Sequence, residues 1–214
     1  ALELADAGIA DPLQLRWLDA PKPAAFAQAR TLLAQLGALS EDGPAGRITA
    51  YGKRMAALPL SPRLAHLLLV AGERDQLALG AAIAALLEER DVLRAEGFAR
   101  APADMRLRTE LLIGDRDAAS AFGVRADRDG VRRVKQSATD LVRRLHGDNS
   151  TRELRADAAW DDANVGTLLA LAFPDRIAQR RAASDGRYLL RNGTGAALPK
   201  GDSLFDEPYL AVAE

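Results

Sequence analysis

The run from Ala24 to Leu64 constrains this chain more than any other stretch. Ala24 to Leu36 is continuously helix-forming, with Ala25, Ala29, Leu32, Leu33 and Leu36 on one face. Gly37 follows directly, and a glycine just past a helix takes the left-handed conformation that ends it. Ser40 to Gly46 is a polar turn containing Gly and Pro. Ile48-Thr49 reads as a short strand or as the start of a helix, with Thr49 placed to cap Ala50 to Ala57. After Leu58-Pro59-Leu60, Ser61-Pro62 sets an N-cap and a first-turn proline ahead of Leu64, Leu67, Leu68 and Ala71.

Helix, tight turn, short strand pair, second helix and abrupt third helix, in that order, outline a winged-helix module that feeds a helical bundle. Before it, Leu2 to Ile9 is a short apolar helix ending near Gly8, and Asp11-Pro12 opens a helix through Leu13, Leu15 and Trp17-Leu18. Pro21 and Pro23 interrupt it. After it, the helix from Pro62 stops at Gly72, and the helix from Asp75 to Arg90 is nearly apolar around its circumference through Leu87, which predicts a buried central helix. Ala103 to Ile113 is a further helix, and residues 114–129 read as a polar loop. Gly130 to His146 is strongly amphipathic, with Val131, Val134, Ala138, Leu141, Val142 and Leu145 in one stripe. Gly147 closes it, and 148–152 read as a linker.

The last third changes character. Asn164 is placed to cap a helix from Val165 to Phe173, which Pro174 ends. Short strands follow at Ile177–Gln179, Arg187–Arg191, Ala196–Leu198 and Tyr209–Val212. Asn192-Gly193-Thr194-Gly195 makes a hairpin turn between two of them. The expected fold is therefore mainly α: a winged helix (1–60), a helical bundle (61–149), and a helix plus a small antiparallel β-region (150–214).

Composition narrows the chemistry. With 29 basic and 30 acidic side chains the net charge is −1, which excludes a globally basic nucleic-acid binder but allows a local basic patch. The absence of cysteine removes disulfides, thiolate metal sites and thiol nucleophiles, and fits a reducing, cytoplasmic setting. No apolar stretch reaches the roughly 20 residues that span a bilayer, so no membrane partner is expected.

Most reactive-looking groups have a plainer reading. His66 and His146 are the only histidines; His66 sits among apolar neighbours and His146 in a last helical turn, where a cation suits the helix dipole. No Ser or Asp arrangement around them makes a triad. Glu88, Glu89 and Asp91 read as a solvated helix end. Asp115, Asp117, Asp127 and Asp129 miss the glycine and glutamate a calcium loop requires. Two basic sets remain. Arg132, Arg133, Lys135, Arg143 and Arg144 flank the amphipathic stripe, where a solvated face is the better reading. Arg176, Arg180, Arg181, Arg187 and Arg191, with Tyr188 among them, lie on the strand-rich tail, where alternation can turn several to one face. OB-like barrels hold single strands with such basic faces and stacking aromatics.

Five motifs in order carry a resemblance: Gly8-Ile9-Ala10-Asp11-Pro12, Leu18-Asp19-Ala20-Pro21, Leu36-Gly37-Ala38-Leu39, Ile48-Thr49-Ala50-Tyr51-Gly52, and Leu58-Pro59-Leu60-Ser61-Pro62-Arg63-Leu64-Ala65. Together they resemble the segment that follows the motor domains of DEAH-box helicases. Phe173-Pro174-Asp175-Arg176-Ile177-Ala178, Gly186-Arg187-Tyr188, Asn192 to Leu198, and Tyr209-Leu210-Ala211-Val212 are similar to the bacterial HrpB subgroup. The resemblance implies a ratchet-like bundle and a partly OB-like β-region in this chain, two RecA-like motor domains before Ala1 and a further region after Glu214. It implies ATP and Mg bound in those motor domains, and none in this chain. It implies single-stranded nucleic acid as partner, held by Arg176, Arg180, Arg181, Arg187, Tyr188 and Arg191, with Arg132, Lys135 and Arg143 as further candidates. The sequence has no Gly-x-x-x-x-Gly-Lys-Thr and no Asp-Glu-Ala-His, so the chain itself is not expected to hydrolyse ATP. The alternative is a stand-alone winged-helix DNA regulator or interaction scaffold. Its recognition helix would offer only Lys53 and Arg54 to a groove. A free-standing hydrolase lacks a nucleophile–base pair.

Overall fold

A computed structural model describes residues 1–40, 46–95, 100–113, 123–146, 162–181 and 186–213. The expected linker at 148–152, most of the turn before Gly46, Asp115 and Asp117 lie outside them, as does the side chain of His146. The chain divides into two compact units, Ala1–Leu69 and Val70–Glu214.

In the first unit, α1 (Leu2–Asp6) buries Leu2 and Ala5, and Gly8 follows at φ +75°. Asp11 accepts the Leu13 N–H at 2.9 Å, as a cap should. The helix expected through Leu18 is nevertheless a single 3-10 turn, Pro12–Gln14. The Pro12 carbonyl, which an α-helix would give to residue 16, instead accepts the Leu15 N–H at 3.1 Å and the Trp17 indole at 2.6 Å. Helix α2 (Pro23–Gln35) begins at its proline and ends at Gly37, φ +73°. Leu33, Leu36, Ala38 and Leu39 are buried, while Ala25 at the first turn is exposed. Arg30 is buried on the same helix and donates to the Gly46 carbonyl at 2.5 Å.

The strand pair is one antiparallel bridge, Leu39 to Ile48. Thr49 fulfils both of its readings. Its N–H donates to Ala38 O at 3.0 Å beside the bridge, and its hydroxyl accepts the Gly52 N–H at 2.9 Å to cap α3 (Ala50–Ala56). Gly52 is needed there, because a Cβ would sit 2.2 Å from the Ala38 carbonyl oxygen. Tyr51 Oη lies 2.9 Å from His66 Nδ1, which joins α3 to α4 (Pro62–Glu73).

In the second unit, α4 runs one residue past the expected stop at Gly72; the left-handed residue after it is Asp75, φ +57°. Helix α5 (Leu77–Glu88) buries every residue from Leu79 to Leu86, as its uniform apolarity predicts. It packs against α7 (Arg128–His146) and α6 (Met105–Ile113), and α8 (Asp162–Ala172) touches α5 and α6. Val134, Ala138, Leu141 and Val142 form the buried stripe of α7. The region read as a loop at 114–129 contains a strand. β2 (Val124–Ala126) pairs antiparallel with β1 (Leu93–Ala95) and leads to Asp127, which caps α7 by accepting the Gly130 N–H at 3.1 Å. Helix α8 begins at Asp162, ahead of the expected Asn164 cap, and ends before the 3-10 turn Pro174–Arg176.

Four strands complete the unit: β3 (Ile177–Arg180), β4 (Arg187–Leu190), β5 (Gly195–Ala197) and β6 (Tyr209–Ala211). They form one antiparallel sheet in the order β5-β4-β3-β6. Gly193, at φ +85°, sits in the expected hairpin turn, where the Leu190 N–H reaches Thr194 O at 2.8 Å. One face of the sheet buries Ala178, Tyr188 and Leu190, with Ala196, Leu198, Leu210 and Val212 packed on them. The fold is therefore mainly α with small antiparallel sheets.

Candidate nucleic-acid interface

Alternation sorts the candidate residues of the sheet between two faces. On β4, Arg187 and Leu189 are exposed while Tyr188 and Leu190 are buried. Register carries this across the sheet. Gln179 pairs with Leu189 on one side and Tyr209 on the other, and Arg180 pairs with Tyr188. Beyond the strand ends, the Arg181 N–H donates to Arg187 O and the Arg191 N–H to Ile177 O, both at 2.9 Å, so the alternation continues. Arg181, Arg187 and Arg191 thus share the outer face.

The other two sheet-region arginines do not join them. Arg180 lies in register with the buried face, 2.8 Å from Asp206 and 5.9 Å from the centre of the Phe205 ring. Arg176, in the 3-10 turn, donates to the Ala213 carbonyl and lies 5.8 Å from the Phe173 ring centre. Both are bound into the fold of the β-region.

Tyr188 corrects the expectation that it stacks bases. It is only 1% exposed, and its hydroxyl lies 3.0 Å from each of the Leu204, Phe205 and Glu207 carbonyl oxygens. A ring in the core has no face to offer a base. Burial pushes its phenol above the usual 10.0; Arg180 pulls the other way, while Asp206, Glu207 and Asp202 add to the rise. The exposed aromatic of this sheet is Tyr209, at 61%, with Leu189 at 42% on the same face. The sequence does hold that signal: Arg187, Leu189 and Arg191 share a parity from which Tyr188 is excluded.

On α7, Arg132 and Arg143 are exposed and Lys135 is half-buried. Arg132 pairs with Asp129 at 2.5 Å and Arg143 with Asp140 at 3.5 Å, both at i,i+3 spacing. Acidic neighbours therefore interrupt this stripe, and such exposed pairs hold little energy. A cleft of about 570 Å³ opens between α5, α6, α8 and the sheet. Two of its charges are used internally: Arg108 makes a two-pronged contact with Asp91 at 3.1 and 2.6 Å and also donates to the Pro102 and Asp104 carbonyls. Among the described residues no group of three or more His, Asp or Glu side chains is placed to hold a metal ion. Among the described residues no helix is long and apolar enough to cross a membrane.

The first unit is a winged-helix module of the type found beside helicase motors, followed by a helical bundle and an antiparallel sheet. Residues 29–60 match the family "Helicase associated domain (HA2), winged-helix". Along 209 residues, 98% of its length, the chain is 36% identical to the ATP-dependent RNA helicase HrpB of Escherichia coli K12, covering 21% of that protein. Two crystal structures from E. coli, of the DExH-box NTPase HrpB and of the DEAH/RHA helicase HrpB, match all of it. Their TM-scores are 0.69 and 0.71 at 32% and 34% identity. The chain is the counterpart of the C-terminal accessory region of DEAH-box helicases of the HrpB subgroup. It spans about a fifth of the length of these relatives.

Proposed function

We propose that this chain is the passive clamp of an ATP-driven helicase. It holds the backbone of a single strand of nucleic acid while RecA-like motor domains of the same polypeptide supply the movement. The observation that carries the reading is the convergence of Arg181, Arg187 and Arg191 on one exposed sheet face, in a chain whose net charge is only −1. Guanidinium groups pair with phosphate oxygens whatever the base, so such a face positions a strand without reading sequence. The α7 set of Arg132, Lys135 and Arg143 is a second contact, where Asp129 and Asp140 lower the local positive charge.

ATP and Mg belong to the motor domains in this reading, and this chain contributes no group to hydrolysis. The exposed apolar run Leu13, Leu15, Trp17 and Leu18 supports packing of the first unit on a motor domain, since clustered apolar surface is what partner interfaces cover. We place the work in the cytoplasm, which the absence of cysteine fits. Three functional parts, 1–60, 61–149 and 150–214, remain our division by role.

Fluorescence anisotropy with single-stranded homopolymers tests the reading. Binding of similar strength to different homopolymers, falling steeply with salt, is expected. A preference for one duplex sequence would instead favour groove reading by α3.

A further inference from the structure

The outer face of the sheet is ordered more finely than a basic patch. Its middle rung runs Gly195, Leu189, Gln179, Tyr209 across the four strands. The rung on one side holds Ala197, Arg187 and Arg181; the rung on the other holds Arg191, Ile177 and Ala211. An apolar and aromatic rung thus lies between two rungs that carry guanidinium groups. No Asp or Glu of this face lies within the four strands, while Glu207, just ahead of β6, is in register with Arg181. Leu189 and Tyr209 are two strands apart, roughly 10 Å, so each can take its own flat ligand. Glycine and alanine at positions 195, 197 and 211 keep the surroundings low. Gln179 Nε2 lies 3.5 Å from Tyr209 Oη and steadies the phenol from its own strand.

From this arrangement we infer that Tyr209 is the base-stacking platform of the chain, with Leu189 supporting a neighbouring base, for an unpaired strand whose phosphates lie on Arg187 and Arg191. The inference rests on the clamp reading and adds a contact to the bases themselves. The guanidiniums of Arg181, Arg187 and Arg191 suit an anionic ligand. It has to present an open π-face, which an unpaired base does and a paired one inside a duplex does not. Stacking on an aromatic is tolerant of sequence, so it does not conflict with backbone gripping.

The test uses the full chain with Tyr209→Ala and Tyr209→Trp, and two labelled ligands: an oligothymidylate and an abasic oligomer of equal length. The wild type is expected to prefer the base-bearing strand by about tenfold. Tyr209→Ala should lose that preference and leave binding of the abasic strand unchanged. Tyr209→Trp should keep the preference, and its added fluorescence should be quenched by oligothymidylate but not by the abasic oligomer. Undiminished preference in Tyr209→Ala, with salt-dependent binding intact, overturns the stacking role and leaves the clamp standing. Failure of both ligands to bind overturns the clamp and the platform together. If the indole introduced by Tyr209→Trp stays unquenched while oligothymidylate is bound, something other than a base covers this face, and the inference is likewise overturned.

Discussion

Alanine at Gly52 would press its Cβ to 2.2 Å from a backbone oxygen of the bridge segment, and neither element can retreat without breaking the Thr49 cap. Gly52→Ala is expected to destabilise the chain by about 2–3 kcal/mol in urea unfolding. Gly166, exposed in α8 with nothing within 4 Å of a new Cβ, should behave oppositely, with Gly166→Ala gaining about 0.5–1 kcal/mol. Tyr188 makes a pH prediction. Its folded phenol holds its proton above the ordinary value of 10.0, so the unfolded chain releases that proton first. The contribution is fully present below about pH 10 and is lost as pH rises through the folded value. Tyr188→Phe should cost about 1 kcal/mol near neutral pH, and the wild type's extra loss of stability at alkaline pH should be absent from the variant. Residue roles were the least legible part of the sequence. Arg30 looks like any charged helical residue, and its burial goes with the Gly46 carbonyl it donates to and the Phe26 ring beside it. Tyr188 drew attention because arginines flank it in sequence, yet flanking residues on a strand point the opposite way.

Elements with a long period were legible. Helices α2, α5 and α7 lie close to where their apolar patterns put them, and the hairpin at Gly193 follows from its turn chemistry. The misses have local causes. β1 and β2 are three residues each, too short for alternation to register, and they pair across a long separation. The turn at Pro12 ends early because a tryptophan side chain takes the carbonyl the helix needed. Helix α7 carries a test at this scale. The Gly130 N–H first, and then Arg94, hold the Asp127 carboxyl below its usual 3.8, against a small opposing effect of burial. Its stabilisation is present above that ordinary value and disappears as pH falls through the lowered one. Asp127→Ala should lower the thermal midpoint seen by circular dichroism at neutral pH, and the gap to wild type should narrow in acid. In binding assays, Arg132→Ala and Arg143→Ala should matter less than substitutions on the sheet face, since Asp129 and Asp140 lower the local positive charge of α7.

At the scale of the whole molecule, the winged helix, bundle and sheet place a basic face on a chain that is nearly neutral. A general polyanion binder would need net positive charge; a clamp fed by a motor needs only a local grip. The decisive measurement is the slope of log affinity against log salt for an unpaired strand, in the wild type and in the Arg181→Ala/Arg187→Ala/Arg191→Ala variant. Each phosphate contact with a single strand adds about 0.7 to the steepness, so three lost contacts should flatten the slope by about 2. Equal slopes in the two proteins would show that phosphates are not held on this face, and would contradict the account.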